Sequence, residues 1–311
     1  MEYFSNTSLA VTSRDLFTKK LTQYTTFMPL GKQSLEFIID NPESAEKVLL
    51  NEKNITQTSA NRHMFYSAVV AYLKHTDSGK KRSEPLKNRW IKIQKDNWEE
   101  RRQQSINNEP TTNQQTVAKN IDWSMIQKKR DELTEGSSER LLLSLYTYLP
   151  PVRADYFEVK INSEREVNQS NQSNQSNQSK DNFVILDSTS ANKSFMVLRD
   201  FKTANKYKEI KHELPEPLFR EIQQSLKLKP RKYLFVMQTD ATKPYDRGAF
   251  SKWANKVLTT LFGVPMTLTS LRHLYVSTLD FNKTRASELE KIGNSMGHSI
   301  AMQKGYQWIA P

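Results

Sequence analysis

The chain contains no cysteine. Disulfides, thiolate nucleophiles and cysteine-ligated zinc are therefore excluded, and an intracellular address fits. Its five histidines include no HExxH or HxH spacing, which argues against a histidine metal site. No phosphate-binding GxxxxGK[ST] loop and no clustered Asp/Glu set for Mg²⁺ occur either. No apolar run approaches the roughly 18 residues that a membrane span requires. The first thirty residues lack the basic start, apolar middle and small-residue cleavage site of a secretory leader.

What is present in excess is positive charge. The 311 residues carry 46 Lys and Arg against 34 Asp and Glu, a formal net charge of +12. A polyanion such as nucleic acid accounts for that excess, because each phosphate neutralised by Lys or Arg releases a counterion. An ordinary basic surface accounts for it too. The length suffices for two domains, each with its own core.

The front half reads as helical. Residues 1–40 show no clear period, although Tyr24, Phe27, Met28, Leu30, Leu35, Phe37, Ile38 and Ile39 offer packing surface. Asn41-Pro42 has the form of a helix cap followed by proline at the first helical position. A second helix starts at Thr58 or Ser59 and carries Met64, Phe65, Ala68, Val69 and Tyr72 at helical spacing. A third, Ser83 to Ser105, holds Leu86, Trp90, Ile93 and Trp98, with both tryptophans expected in the core. Residues 80–102 contain nine Lys or Arg against four Asp or Glu, the pattern of a solvated face or of one set against DNA. Lys80, Lys81, Arg82, Lys87, Arg89 and Lys92 are the candidate DNA contacts. The polar stretch 107–120 reads as a linker.

Beyond it, Trp123, Met125 and Ile126 open a short helix. Leu141, Leu142, Leu143, Leu145 and Tyr146 belong to a more buried one, stopped by Pro150-Pro151. The period then changes to two: Phe157, Val159 and Ile161 alternate, as do Val184 with Leu186 and Phe195 with Val197. Between the first two lies a fourfold Asn-Gln-Ser repeat, Asn168 to Ser179, read as a disordered loop insertion. A strand pair is expected through Leu198–Lys202 and Tyr207–His212, joined at Thr203–Lys206. From Pro217 onward the pattern is helical apart from the apolar Tyr233–Met237. The expected class is mainly α with a small antiparallel sheet (α+β). It divides into 1–40 unassigned, 41–120 helical and 121–311 a second domain.

Two segments near the C-terminus carry chemistry: Thr269-Ser270-Leu271-Arg272-His273, and Met296-Gly297-His298-Ser299 followed by Tyr306. Together they resemble the tyrosine recombinase (phage integrase-like) family, most closely its members from eukaryotic mobile elements and large DNA viruses. The resemblance covers residues 134–311 in order and spacing, and the front half more loosely. It implies a catalytic domain in which Arg153 and Arg272 are the two phosphate-binding arginines. It also implies Lys202 as the hairpin general acid, His298 as the histidine of Gly-His-Ser and Tyr306 as the nucleophile. Lys206, Lys208 and Lys211 compete with Lys202 for the acid role. Tyr306 lies eight residues past His298, one fewer than the commonest bacterial spacing. The family's recurrent histidine falls on Thr269, which cannot carry a proton near neutral pH. His273, four positions along the same helix, is a candidate replacement.

The resemblance further implies a helical core-binding domain that clamps double-stranded DNA, and metal- and ATP-independent, cofactor-free recombination through a 3′-phosphotyrosine. It implies a homotetramer on paired sites, serving integration of a mobile or viral genome. A nuclear or virus-associated location follows if the host is eukaryotic. The chain ends five residues after Tyr306, which leaves little tail for docking on a neighbouring subunit unless the natural protein extends further. Two alternatives stand beside this reading: a type IB topoisomerase, and a catalytically weakened DNA-binding protein for which Thr269 is the best support.

Overall fold

The computed structural model describes residues 3–5, 7–51, 58–106, 111–162, 180–187 and 191–308. The Asn-Gln-Ser repeat lies outside them. The chain divides into two compact units, Met1–Glu109 and Pro110–Pro311.

The first unit contains helices α1 (Val11–Phe27), α2 (Leu35–Asp40), α3 (Pro42–Asn51), α4 (Ser59–His75), the single turn α5 (Asp77–Lys80) and α6 (Glu84–Ile106). Local chemistry sets several starts. The hydroxyl of Thr58 accepts the N–H of Asn61 to cap α4, and proline opens α3. The N-terminal segment that showed no period supplies much of the core. Leu21, Tyr24, Met28, Leu35, Ile38 and Ile39 are buried with Phe65, Val69 and Trp90. Trp90 is fully buried and donates its indole N–H to the Ile39 carbonyl at 2.9 Å. Trp98, expected in the core, is instead 49% exposed, with the Arg102 guanidinium 6.0 Å from its ring. Eight positions from Trp90 is more than two helical turns, and the drift carries Trp98 off the buried stripe.

The second unit opens with a correction. Thr112–Asn120, expected as linker, is a helix (α7). A reciprocal capping box drives it: Thr111 accepts the Gln114 N–H while the Gln114 side chain accepts the Thr111 N–H. Val117 then seats in the second unit's core, so the segment belongs to that unit. Helices α8 (Trp123–Glu132) and α9 (Ser138–Tyr148) follow. Next come strands β1 (Lys160–Asn162), β2 (Phe183–Ile185) and β3 (Phe195–Leu198), the turn α10 (Ala204–Tyr207) and strand β4 (Ile210–Glu213). Helices α11 (Glu216–Leu228), α12 (Arg247–Phe262), α13 (Leu268–Ser277), α14 (Ala286–Ser295) and α15 (Ile300–Lys304) complete it.

The sheet order is β1-β2-β3-β4. It is mixed rather than antiparallel, because β1 pairs with β2 in parallel, Lys160 opposite Phe183. A parallel neighbour cannot be reached by a tight turn, which is where the long intervening segment falls. The expected strand pair around Lys202 is also shorter at its turn. The side-chain oxygen of Asn182 accepts the N–H groups of Arg199 and Asp200, both at 2.8 Å, and ends the ladder at Leu198. Lys202 consequently sits in the β3–β4 connection and not at a strand end.

His212 on β4 is buried with its Nε2 unpartnered among the described residues, and burial pushes its pKa down to about 4. Unfolded, it would titrate near its ordinary 6.5. Between those values the unfolded chain binds the extra proton, so stability falls as pH drops through that window. His212→Leu is expected to flatten the acid dependence of unfolding by on the order of 2 kcal/mol at pH 4.5. Urea midpoints at pH 7 and 4.5 check this; parallel losses in both proteins would refute it.

Candidate active site

Residue chemistry explains each piece of the second motif. Helix α14 ends in a Schellman turn, with Gly297 in the left-handed region (φ +68°). The His298 N–H reaches the Gly293 carbonyl at 2.9 Å, and the Gly297 N–H reaches that of Asn294 at 3.0 Å. Ser299 then caps α15 by accepting the Met302 N–H. Glycine reverses the chain, histidine is presented at the reversal, and serine starts the helix that carries the chain to Tyr306. The turn is tied to the β3–β4 connection, because the Thr203 hydroxyl donates to the Gly297 carbonyl at 2.8 Å.

Arg272 comes from α13, whose start is fixed by a capping box between Thr267 and Ser270. Its guanidinium is fully buried. One terminal nitrogen donates to the carbonyls of Pro151 (2.7 Å) and Met296 (3.3 Å); the other lies 2.6 Å from His298 Nδ1. Guanidinium nitrogens only donate, so Nδ1 is the acceptor and the imidazole proton resides on Nε2. That Nε2 is buried and unpartnered among the described residues, as is Arg272 Nε. Burial, then the charges of Arg272 and Arg153, push the His298 pKa down to about 3, so the ring stays neutral and holds that tautomer.

Arg153 arrives from the segment after Pro150-Pro151. Its carbonyl accepts the Tyr146 hydroxyl, and its N–H bonds Asp155 at 3.1 Å. Among the described residues neither Arg153 nor Arg272 forms an ion pair with a carboxylate. The charges of both guanidiniums instead act on the hydroxyl of Tyr306. The Tyr306 ring stacks on His298 (5.4 Å, 22°) and lies 4.8 Å from the Arg272 guanidinium carbon. Burial raises the pKa of that phenol, but the nearby charges of Arg272 and Arg153 outweigh it, leaving the pKa below the ordinary tyrosine value.

Lys202 and Thr269 are exposed. They line a cavity of about 540 Å³ with Arg153, Arg247 and Asn255. Of the rival lysines, Lys211 lies over the Phe195 ring and Lys206 over that of Tyr207. Both ring nitrogens of His273 are engaged by protein groups, Nδ1 by the Tyr306 carbonyl and Nε2 by Gln114. Sequence reasoning missed Arg247, which leaves the first turn of α12 to pair with Asp155 and Asp200 and covers Phe157 at 4.5 Å. Only its position beside the capping Asp246 was readable locally.

In the first unit, five of the six candidate DNA-contacting cations meet carboxylates: Lys80 with Asp77, Arg82 with Asp40, Lys87 with Glu84, Arg89 with Glu43 and Lys92 with Asp96. Among the described residues no group of three or more His, Asp or Glu is placed to hold a metal ion. None of their helices is long and apolar enough to cross a membrane.

No protein-family model matches the chain, and no curated protein matches it. Among solved structures it is similar to the crystal structure of XerA recombinase, at 12% identity and a TM-score of 0.40, over 96% of this chain and 94% of that one. Similarity at that level transfers no residue roles, and those below rest on side-chain geometry.

A Cβ at position 297 would sit 3.2 Å from the Thr203 hydroxyl and in a left-handed backbone region. Gly297→Ala is expected to cost about 1–2 kcal/mol and to displace His298. Chemical denaturation measures the first effect. An unchanged midpoint would show that the turn relaxes freely.

Proposed function

We propose that this chain cuts and rejoins DNA as a tyrosine recombinase, with Tyr306 as its nucleophile. The observation that carries the reading is the gathering of Arg272 and a neutral His298 against the Tyr306 ring, with the charges of Arg272 and Arg153 acting on its hydroxyl and neither arginine in an ion pair among the described residues. A buried guanidinium without a counter-ion is costly, and a phosphodiester provides the missing charge with matching acceptor geometry.

In the step proposed, the Tyr306 phenol gives its proton to water, its oxygen forms a bond to phosphorus, and the bond from phosphorus to the 5′-oxygen breaks. The product is a 3′-phosphotyrosine, and the 5′-oxygen takes a proton to leave as a hydroxyl. Arg153 and Arg272 neutralise the non-bridging oxygens as charge accumulates there. The Nε2–H of His298 is a further donor to the same oxygens. Lys202, on the wall of the cavity that Arg153 also lines, supplies the proton to the leaving oxygen. The phosphotyrosine conserves the bond energy, so rejoining needs only the reverse attack by a 5′-hydroxyl. Double-stranded DNA is the substrate, the helical first unit contributes to binding it, and paired sites are joined in a homotetramer serving integration or excision.

Thr269 bears on the rate. A threonine hydroxyl donates one hydrogen bond and cannot carry charge near neutral pH. It is exposed on the cavity wall, so an imidazole fits there without displacing core atoms. Thr269→His is therefore expected to raise the rate of covalent complex formation several-fold. A slower variant would show that threonine is the better group in this site.

The decisive assay uses nicked duplexes of randomised sequence, from which covalent protein–DNA adducts are isolated under denaturing conditions. Wild type is expected to yield adducts, whereas Tyr306→Phe yields none. Arg153→Ala and Arg272→Ala should each fall at least 100-fold. No wild-type adduct despite tight binding would overturn the enzymatic reading in favour of a DNA-binding protein. Relaxation of supercoiled plasmid without a selected sequence would favour a type IB topoisomerase.

A further inference from the structure

His273 follows Arg272 on α13, is buried, and has no part in the step described above. Its surroundings fix every hydrogen around it. The Tyr306 carbonyl, 2.7 Å from Nδ1, can only accept, so Nδ1 carries the proton and Nε2 bears a lone pair. The Gln114 side-chain nitrogen, 3.2 Å from Nε2, donates to that lone pair. The amide cannot be reversed, because its oxygen accepts the Thr111 N–H at 2.8 Å. One directional chain thus runs from Thr111 through Gln114 and His273 to the backbone of Tyr306. The ring is also held between aromatics: Trp308 stacks on it (4.9 Å, 10°) and Tyr306 meets it edge-on (4.9 Å, 63°). The Trp308 N–H is secured in turn by the Ser277 hydroxyl at 2.9 Å.

The segment needs this support. Helix α15 stops at Lys304, and beyond it Tyr306 and Gln307 each keep one local backbone bond, to Gln303 and Lys304. Drift of that backbone would carry the Tyr306 ring away from Arg272 and His298, against which it lies.

We infer that His273 is a positioning residue that fixes the backbone at Tyr306, with Gln114 locking its imidazole in the required tautomer. This rests on Tyr306 being the nucleophile. Burial, chiefly, pushes the His273 pKa down to about 4, consistent with a neutral ring whose Nε2 remains an acceptor for Gln114.

Single-turnover adduct formation on nicked DNA, measured beside DNA affinity and melting temperature, tests the inference. His273→Phe keeps the aromatic stack and removes both hydrogen bonds. It is expected to slow adduct formation about 10- to 100-fold, as misplacement by an ångström does, with affinity within about 2-fold of wild type. His273→Asn, whose side-chain nitrogen can reach the Tyr306 carbonyl, should recover most of the rate. Gln114→Ala, at a half-buried site, should lose about 10-fold. Wild-type rates in a folded His273→Phe would overturn the inference and leave the nucleophile assignment standing. Equal losses of rate and affinity in the Phe and Asn variants would also overturn it, since that is the mark of a general structural role. Should His273→Phe fail to fold, Gln114→Ala decides, and an unchanged rate there refutes the relay. Absence of adduct from wild type would overturn the nucleophile assignment and this inference together.

Discussion

A guanidinium taken wholly out of water and given no carboxylate is the constraint around which the second unit is arranged. Arg272 cannot shed its charge at physiological pH, so every donor left unmet carries a desolvation cost. Its neighbours come from three separated stretches: the Pro151 carbonyl after α9, the Met296 carbonyl with His298 at the Schellman turn, and the Tyr306 ring after α15. No local rule would bring those stretches together. The apolar cluster beneath them does so: Leu141, Leu145, Val152, Leu268 and Leu271 are all buried in one core. Hydrophobic burial therefore offsets an electrostatically unfavourable arrangement, and what remains is positive charge able to gain from an anion.

The same environment gives three histidines three separate fates. His212, His273 and His298 are all buried and all depressed well below 6.5, so all are neutral at physiological pH. They differ in what their nitrogens meet. His212, on β4, leaves its Nε2 without a hydrogen-bond partner among the described residues. His298 accepts from an arginine at Nδ1 and has a proton to give at Nε2; His273 donates at Nδ1 and accepts at Nε2. The tautomers of His298 and His273 are opposite because Arg272 is an obligate donor and the Tyr306 carbonyl an obligate acceptor. Neighbours, rather than burial, assign the work.

Elements governed by local chemistry were legible in the sequence. Thr58 and Pro42 marked helix starts, Gly-His-Ser marked a turn presenting an imidazole, and period-two alternation located the strands. What escaped was set by distant partners. The capping box at Thr111–Gln114 is a local signal that the polar composition of 107–120 obscured, and only Val117 reaching a core built from the rest of the unit shows that it is a helix and not a linker. The parallel pairing of β1 with β2 depends on a connection whose composition gives no direction. Lys202 was placed at a strand end because the ladder's termination depends on Asn182, 17 residues before the first N–H it captures. The Gln114–His273 contact spans 159 positions, and no pattern in either segment announces it.

Thr269 joins these strands of argument. Four positions separate it from His273 on α13, one helical turn, so sequence alone allowed one residue to serve for the other. The structure separates them by function as well as by position: Thr269 faces the open cavity, while His273 is turned inward and saturated. His273 therefore does not stand in for a histidine at position 269. Under the proposed function, orientation of Tyr306 is divided instead. The two arginines act on the phenol oxygen directly, and the His273 ring acts on the backbone that carries it. Such an arrangement orients the tyrosine beside a histidine whose Nδ1 is already taken by Arg272 and which therefore cannot accept its proton. In the proposed reaction, deprotonation then relies on the arginines' lowering of the phenol pKa, and a site built this way would trade rate for a tyrosine held in place before substrate arrives.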